Sequence, residues 1–343
     1  GNHVIRIWTG RARALAVVAL ATSAATALAG CSSGGEAHAA TTVAIIAYSV
    51  PKPAYDALES AFGRTPQGKD VTFSASYGPS GTQSKAVASG QPADYVAFSL
   101  EPDLTKLVPQ FVAPGWNSGP TRGIVSDSVV VLVVRRGNPK HITGWGDLTK
   151  PGVQIVTPDP ASSGSAKWNI LAAYEHVIAD GGAPAQAAAY LTAFFHHVVS
   201  KPSSGATATT TFTSGTGDVL VSYENEAIAA RQKGAAVDYV VPDESMLIEN
   251  PAALTSHASP AAKNFLAFAL GTRGQQIFAR HGFRPAVTGV DPGTVPGAND
   301  PTDPFPTVPK LTTITQLGGW DKVNTEFFDP DNGIVTKIEN ATG

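Results

Sequence analysis

The stretch at residues 156–169, VTPDPASSGSAKWN, restricts the fold more than any other part of this chain. Residues 154–157 read as the end of an apolar strand. Pro158 and Pro160 then bar a helix, because proline lacks an N–H and clashes with the preceding turn. Ser162, Ser163, Gly164 and Ser165 lead straight into a helical run predicted for residues 166–179. A strand, a small-residue turn and a helix start leave several backbone N–H groups pointing one way with no side chain in front of them. Such an arrangement suits an anion.

The same sequence of parts returns twice. A strand at 71–76 runs into Tyr77-Gly78-Pro79-Ser80-Gly81-Thr82-Gln83 and a helix reaching about residue 89. A third turn, Ser203-Ser204-Gly205-Ala206-Thr207, opens a short helix to about residue 213. Further strands are expected at 43–47, 94–98, 218–223 and 237–241, and at 128–134, whose β-branched run SVVVLVV predicts burial on both faces. Helices are expected at 54–62, 101–107, 184–197, 225–232, 261–270, 274–281 and 321–328, with an extended Pro/Gly/Asp-rich stretch at 286–309. Strands alternate with helices, which predicts an α/β fold with mainly parallel sheets. Ligands of such sheets bind outside the carboxyl ends of the strands, where all three turns fall.

Each turn taken alone has a simpler explanation, since Ser, Thr and Gly are favoured as helix N-caps for local reasons. Three of them in one chain bring the ligand reading level, and spacing by itself does not decide. One helix N-terminus favours an anion by roughly 0.3–1 kcal/mol. Three converging ends would hold a dianion without lysine or arginine, and the serine hydroxyls would add donors.

Other chemistries find less support. Charged residues make up only 15% of the chain, the formal net charge is −3, and no basic run follows the N-terminus, so nucleic acid is excluded as a partner. The eight histidines show no metal-ligand spacing, and neither metal nor cofactor is expected. His196 and His197 diverge on their helix, one to pack and one to be solvated. Gly78-Pro79-Ser80-Gly81 does not match the G-x-S-x-G nucleophile elbow. An exported serine hydrolase built on Ser80 or Ser163 is therefore the alternative class, and a non-enzyme is the reading preferred.

The N-terminal residues have an export pattern. Arg6, Arg11 and Arg13 precede a charge-free apolar run at 15–29. Leu28-Ala29-Gly30-Cys31 resembles the bacterial lipoprotein signal box. That resemblance implies removal of residues 1–30, lipid on Cys31 and a place on the extracytoplasmic face of the cell membrane. Cys31 is the sole cysteine, so no intrachain disulfide forms. Residues 31–42 have the Ser/Gly/Ala composition of a flexible tether.

Three groups of residues together resemble the signatures of the periplasmic sulfate-binding protein family. They are Tyr77-Gly78-Pro79-Ser80-Gly81-Thr82-Gln83; Val156-Thr157-Pro158-Asp159-Pro160 with Ser162-Ser163-Gly164 and Trp168-Asn169; and Gly217-Asp218-Val219-Leu220 with Glu224-Asn225-Glu226-Ala227. Arg136-Gly137-Asn138-Pro139-Lys140, Arg284-Pro285 and Gly318-Gly319-Trp320 extend the match from about residue 43 to 338. The resemblance implies a two-lobe α/β periplasmic-binding-protein (type II) architecture with the ligand in a cleft between lobes. Residues 43–127 and 241–300 would form lobe 1, residues 128–240 lobe 2, and residues 301–343 a C-terminal extension packed on both. It further implies a monomeric receptor that hands sulfate to the membrane permease of an ABC importer, with thiosulfate, molybdate or phosphate as alternative anions.

Carried onto this chain, the implied ligands are Ser49, Ser80, Ser163, Gly164, Ser165 and Tyr223, with the third turn supplying Gly205 or Ala206. Matching the family's Ser-Gly-Ala-Arg by identity selects Ala206, and counting back from Phe212 selects Gly205, so both stand. The chain departs from the family at Ser49 (some members have Asp), at Ser165 (often Gly) and at Tyr223 (some have Trp). Sulfate has no proton to donate at neutral pH whereas hydrogen phosphate has, so a carboxylate acceptor would favour phosphate. Neither Asp159 nor Glu224 is expected to touch the anion. Trp168 and Trp320 read as packing residues, and Arg284 as half of a structural ion pair.

Overall fold

The computed structural model describes residues 40–342; the expected signal peptide, Cys31 and the tether up to residue 39 lie outside the described residues. Among the described residues no helix is long and apolar enough to cross a membrane.

Two groups of strands make up the β structure. In the first, β1 (Thr41–Tyr48) lies between β2 (Val71–Gly78) and β3 (Tyr95–Ala97), all parallel, with Tyr48 opposite Gly78 and Ala47 opposite Ala97. In the second, β5 (Ile155–Val156) lies between β6 (Val198–Ser200) and β7 (Val219–Tyr223), again parallel. Two long strands join the groups. β4 (Ile124–Arg135) runs antiparallel to β7, to β8 (Val237–Val240) and to β9 (Glu244–Leu254). β9 continues to pair antiparallel with β3, and β10 (Lys310–Thr312) adds to β9 in parallel. The sheet is therefore mixed rather than mainly parallel: the expectation holds within each group and fails at the crossing strands. As predicted, the β-branched run of β4 is buried on both faces, Val129 to Val134 all being at most 2% exposed.

Helices cover the strands. α1 (Lys52–Gly63), α2 (Ser80–Ala88) and α3 (Glu101–Thr105) follow the strands of the first group. α4 (Gly164–Ala179), α5 (Pro184–His197), α6 (Gly205–Thr213) and α7 (Glu224–Gln232) belong to the second. α8 (Pro260–Leu270) and α9 (Thr272–Arg280) return to the first, and α10 (Trp320–Phe328) with α11 (Ile334–Thr342) close the chain. Pro184 and Pro260 each occupy the first helical position, where proline's missing N–H has no partner to lose. Strands β6, β9 and β10 and helix α11 are additions to what the residue pattern predicts.

Apolar packing fixes these parts. Phe265 of α8 sits among Tyr55, Phe62, Phe73 and Tyr95, with ring centroids 4.9–6.4 Å apart. Each such ring contributes roughly 1.5–3 kcal/mol through burial. In the second group Trp168 and Leu171 of α4 and Phe194 of α5 are fully buried, with Trp168 edge-on to Trp320. One consequence positions the site: parallel register puts Tyr48, Gly78 and Ala97 at one end of the first group, and Val156, Ser200 and Tyr223 at one end of the second.

Candidate functional site

Those two sets of strand ends meet, and the turns that follow them touch one another. The Gly81 amide at the start of α2 donates to the Ser162 carbonyl before α4, at 3.1 Å. A Cβ on Gly164 would lie 2.7 Å from Ser99 Cβ, so α4 begins directly against the end of β3. A Cβ on Gly205 would lie 2.8 Å from both Ser165 Oγ and Val50 Cγ2, so α6 begins against α4 and the end of β1. Ser49 Oγ accepts from the Ala206 amide at 3.4 Å. Only glycine permits these approaches.

The helix starts explain both faces of the turn chemistry. Ser163 is the N-cap of α4 and its Oγ accepts from Ala166 N at 3.2 Å. Ser204 is the N-cap of α6 and its Oγ accepts from Thr207 N at 3.1 Å. Capping is thus real, but each cap satisfies only the third amide of its helix. Among the described residues no acceptor takes the amides of Ser80, Gly164, Ser165 or Gly205. None of the first turns of α2, α4 and α6 carries an acidic residue. The result is a set of unpaired donors at the positive ends of three helix dipoles whose first turns touch one another.

Every residue expected to line the site between Ser49 and Tyr223 is found at this junction, but their side chains differ in what they can offer. The Ser80 hydroxyl donates to Asp103 Oδ2 at 2.7 Å and accepts from Ser99 N at 3.0 Å, so its proton is committed and its amide is the free donor. The Ser163 hydroxyl accepts as a cap and keeps its own proton. Tyr223 is fully buried and its hydroxyl lies 2.5 Å from Ser99 Oγ. Burial is the main reason its phenol is pushed up to about 12. It is a neutral donor at any working pH.

The nearby carboxylates are accounted for. Asp159 folds its own turn, Oδ1 accepting from Ala161 N at 2.9 Å and the carbonyl from Ser163 N at 2.8 Å. Glu224 is 0% exposed and takes two bonds from Arg284, at 2.7 and 2.9 Å. Burial raises the Glu224 pKa, and Arg284 opposes that rise. Glu226 accepts from Thr209 Oγ1, and burial pushes its carboxyl up to about 7. It faces a cavity of about 270 Å³ that also touches Ser49, Ala206, Lys52 and Lys233. His196 is exposed while His197 Nδ1 lies 2.7 Å from the Val153 carbonyl, one solvated and one packed.

Residue-by-residue reading did not single out Ser99, the hub of the junction. Its carbonyl accepts from Trp168 Nε1 at 3.0 Å and Asn250 Nδ2 at 3.1 Å, besides the contacts of its amide and hydroxyl. Trp168 is therefore a packing residue that also makes a directed bond. A signal was present: Ser99 is another small polar residue between a predicted strand and a predicted helix. Asp103 and Asn250 lie too far along the chain from the turns to be associated with them by sequence.

Comparison with known proteins adds the relatives. Residues 43–284 match the family model described as bacterial extracellular solute-binding protein. A sulfate-binding protein of Synechococcus elongatus is 38% identical over 97% of this chain and 98% of its own. A thiosulfate-binding protein of Pseudomonas aeruginosa is 31% identical over 92% of this chain and 97% of its own. Among solved structures, the sulfate-binding protein SubI from Mycobacterium tuberculosis is 42% identical, matches 84% of this chain and 100% of its own, and superposes with a TM-score of 0.78.

Proposed function

This chain belongs to the bacterial extracellular solute-binding protein family, and we propose that it captures sulfate outside the cytoplasm and delivers it to an ABC-type importer. The observation that carries the ligand is the set of unpaired amides of Ser80, Gly164, Ser165 and Gly205 at the junction of α2, α4 and α6. Four N–H groups with no acceptor are costly to bury, and an oxyanion satisfies them together. The hydroxyls of Ser49, Ser163 and Tyr223 and the amide of Ala206 complete the proposed ligand set, with both Gly205 and Ala206 engaged as the first two residues of α6. Nothing in this set is a nucleophile activated by a base, and we read the protein as a carrier that catalyses nothing.

Selectivity follows from protons. The site offers donors, and the carboxylates of Asp159, Glu224, Asp103 and Glu226 are engaged by a turn, Arg284, the Ser80 hydroxyl and Thr209 respectively. Hydrogen phosphate would bring a proton with no carboxylate to receive it. We further read residues 43–127 with 241–300 as one lobe, 128–240 as the other and 301–343 as an extension. The lobes would close over the anion and exclude water, which strengthens each hydrogen bond. The lipobox-like Leu28-Ala29-Gly30-Cys31 supports an anchor at Cys31 that would hold the receptor on the outer face of the membrane, beside the permease.

Calorimetric titration of the soluble domain with sulfate, thiosulfate, molybdate and phosphate tests this reading. Sulfate is expected to bind with the highest affinity. Absence of sulfate binding at millimolar concentration would end it, and tighter binding of thiosulfate would reassign the receptor to that anion.

A further inference from the structure

Tyr48 ends β1, one residue before Ser49. It is 3% exposed, and its hydroxyl has no hydrogen-bond partner among the described residues. A buried hydroxyl left unpaired forfeits its hydration for nothing, and native structures seldom keep one without a use. The Tyr77 hydroxyl is unpaired as well, whereas Tyr55 bonds Tyr95 at 2.7 Å, Tyr190 the Trp145 carbonyl at 2.6 Å, and Tyr223 Ser99 at 2.5 Å.

The position of Tyr48 shows what its hydroxyl can serve. Its ring centroid is 6.4 Å from that of Tyr223. The Tyr223 hydroxyl is surrounded by the side chains of Ser99, Ser165, Asn250 and Tyr48. The next residue, Ser49, meets the start of α6 through Ala206. Tyr48 thus packs from the end of β1 against Tyr223, whose hydroxyl has Ser99 and Ser165 as neighbours.

We propose that the Tyr48 hydroxyl donates a hydrogen bond directly to the bound sulfate. It would be a ligand additional to those the turns supply, and the inference rests on the sulfate reading above. The phenol has one proton that no bond of ordinary length takes, and the Tyr223 hydroxyl is the neighbouring acceptor an anion would have to outcompete. Burial raises its pKa well above the ordinary value, with Tyr223 and Glu226 pushing the same way, so the donor stays protonated. Tyr223 is differently placed, since its hydroxyl already exchanges a bond with Ser99. Binding should turn an orphaned donor into a charge-assisted one, which gives the site affinity without adding charge.

Tyr48→Phe and Tyr223→Phe separate a ligand from a structural hydroxyl. In titration with sulfate, Tyr48→Phe is expected to weaken binding by about 10- to 150-fold, the range for one hydrogen bond to a charged group. Its melting temperature without sulfate is expected to be unchanged or higher, because the orphan has been removed. Tyr223→Phe loses the Ser99 bond and is expected to melt lower without sulfate. A Tyr48→Phe protein that binds sulfate within about twofold of wild type, or that melts as low as Tyr223→Phe, overturns the inference while leaving the receptor reading intact. A wild-type protein that takes up no sulfate overturns both.

Discussion

Replacing Gly164 with alanine adds one methyl group and tests the whole construction of the site. The new Cβ would lie 2.7 Å from Ser99 Cβ, 2.9 Å from Ser99 Oγ and 3.0 Å from Leu100 Cγ. Reaching ordinary contact at 3.4 Å demands a relative shift of about 0.7 Å between α4 and the end of β3. Neither side yields easily. Ser99 is tied to Ser80, Tyr223, Trp168 and Asn250, and 12 of the 16 residues of α4 are buried. Overpacking of this kind costs about 1–3 kcal/mol, and alanine's helix preference offsets roughly 0.5–1 of that. Stability should therefore fall by no more than about 2.5 kcal/mol, and the protein should still fold. Affinity should suffer more. An amide moved by about 0.7 Å from a 2.9 Å bond is no longer within hydrogen-bond distance of the anion. Losing one charge-assisted bond costs about 1.5–3 kcal/mol, or roughly 10- to 150-fold in the dissociation constant. Calorimetric titration with sulfate, beside a melting curve without it, reads both effects. Gly146→Ala is the control, because its Cβ would meet nothing within 4 Å. Gly164→Ala binding sulfate within about threefold of wild type would refute the idea that the α4 amides hold the anion.

Two further substitutions probe the charges around the site. Arg284→Ala leaves Glu224, 0% exposed, as an uncompensated buried charge, and should cost about 3–5 kcal/mol in urea unfolding; a loss below about 1 kcal/mol would show that water reaches the pair. Glu226→Gln should change how stability depends on pH. The folded pKa of Glu226 is raised from 4.5 to about 7, so between those values the native state binds more protons than the unfolded one. Stability from this group is full below pH 4.5 and is lost as pH rises through about 7, a loss of up to about 3 kcal/mol. The variant should match wild type near pH 4.5 and exceed it at pH 8 in parallel unfolding curves. Equal stabilities at pH 8 would mean that Glu226 ionises freely.

How much of this was legible depended on how local each cause is. The turns at Ser80, Ser163 and Gly205 could be read because proline, glycine and serine act within a few residues of themselves. The run 128–134 could be read as a doubly buried strand because β-branching and apolarity coincide there. Pairing direction could not. β4 and β9 run against their neighbours because the chain crosses between two strand groups, and that is set by contacts more than a hundred residues apart, such as Val129 with Leu247.

The largest omission, β9, shows why the gap falls where it does. Residues 244–254, ESMLIENPAAL, lack a clean alternation because Glu249, Asn250 and Pro251 interrupt it. Each interruption has a place in the fold. Pro251, which cannot donate to a ladder, sits opposite Ile124 where the register of β4 and β9 slips. Asn250 is 1% exposed and spends its side chain on Ser99 and Ser126, holding the hub of the junction from the crossing strand. A purely apolar β9 would have been easy to recognise and would leave the Ser99 carbonyl with one donor fewer. The residue that hides the strand from pattern reading is thus one that fastens it to the site. Ser99 carries the same lesson at the end of β3, and it follows that polar interruptions of buried strands deserve reading as site contacts first.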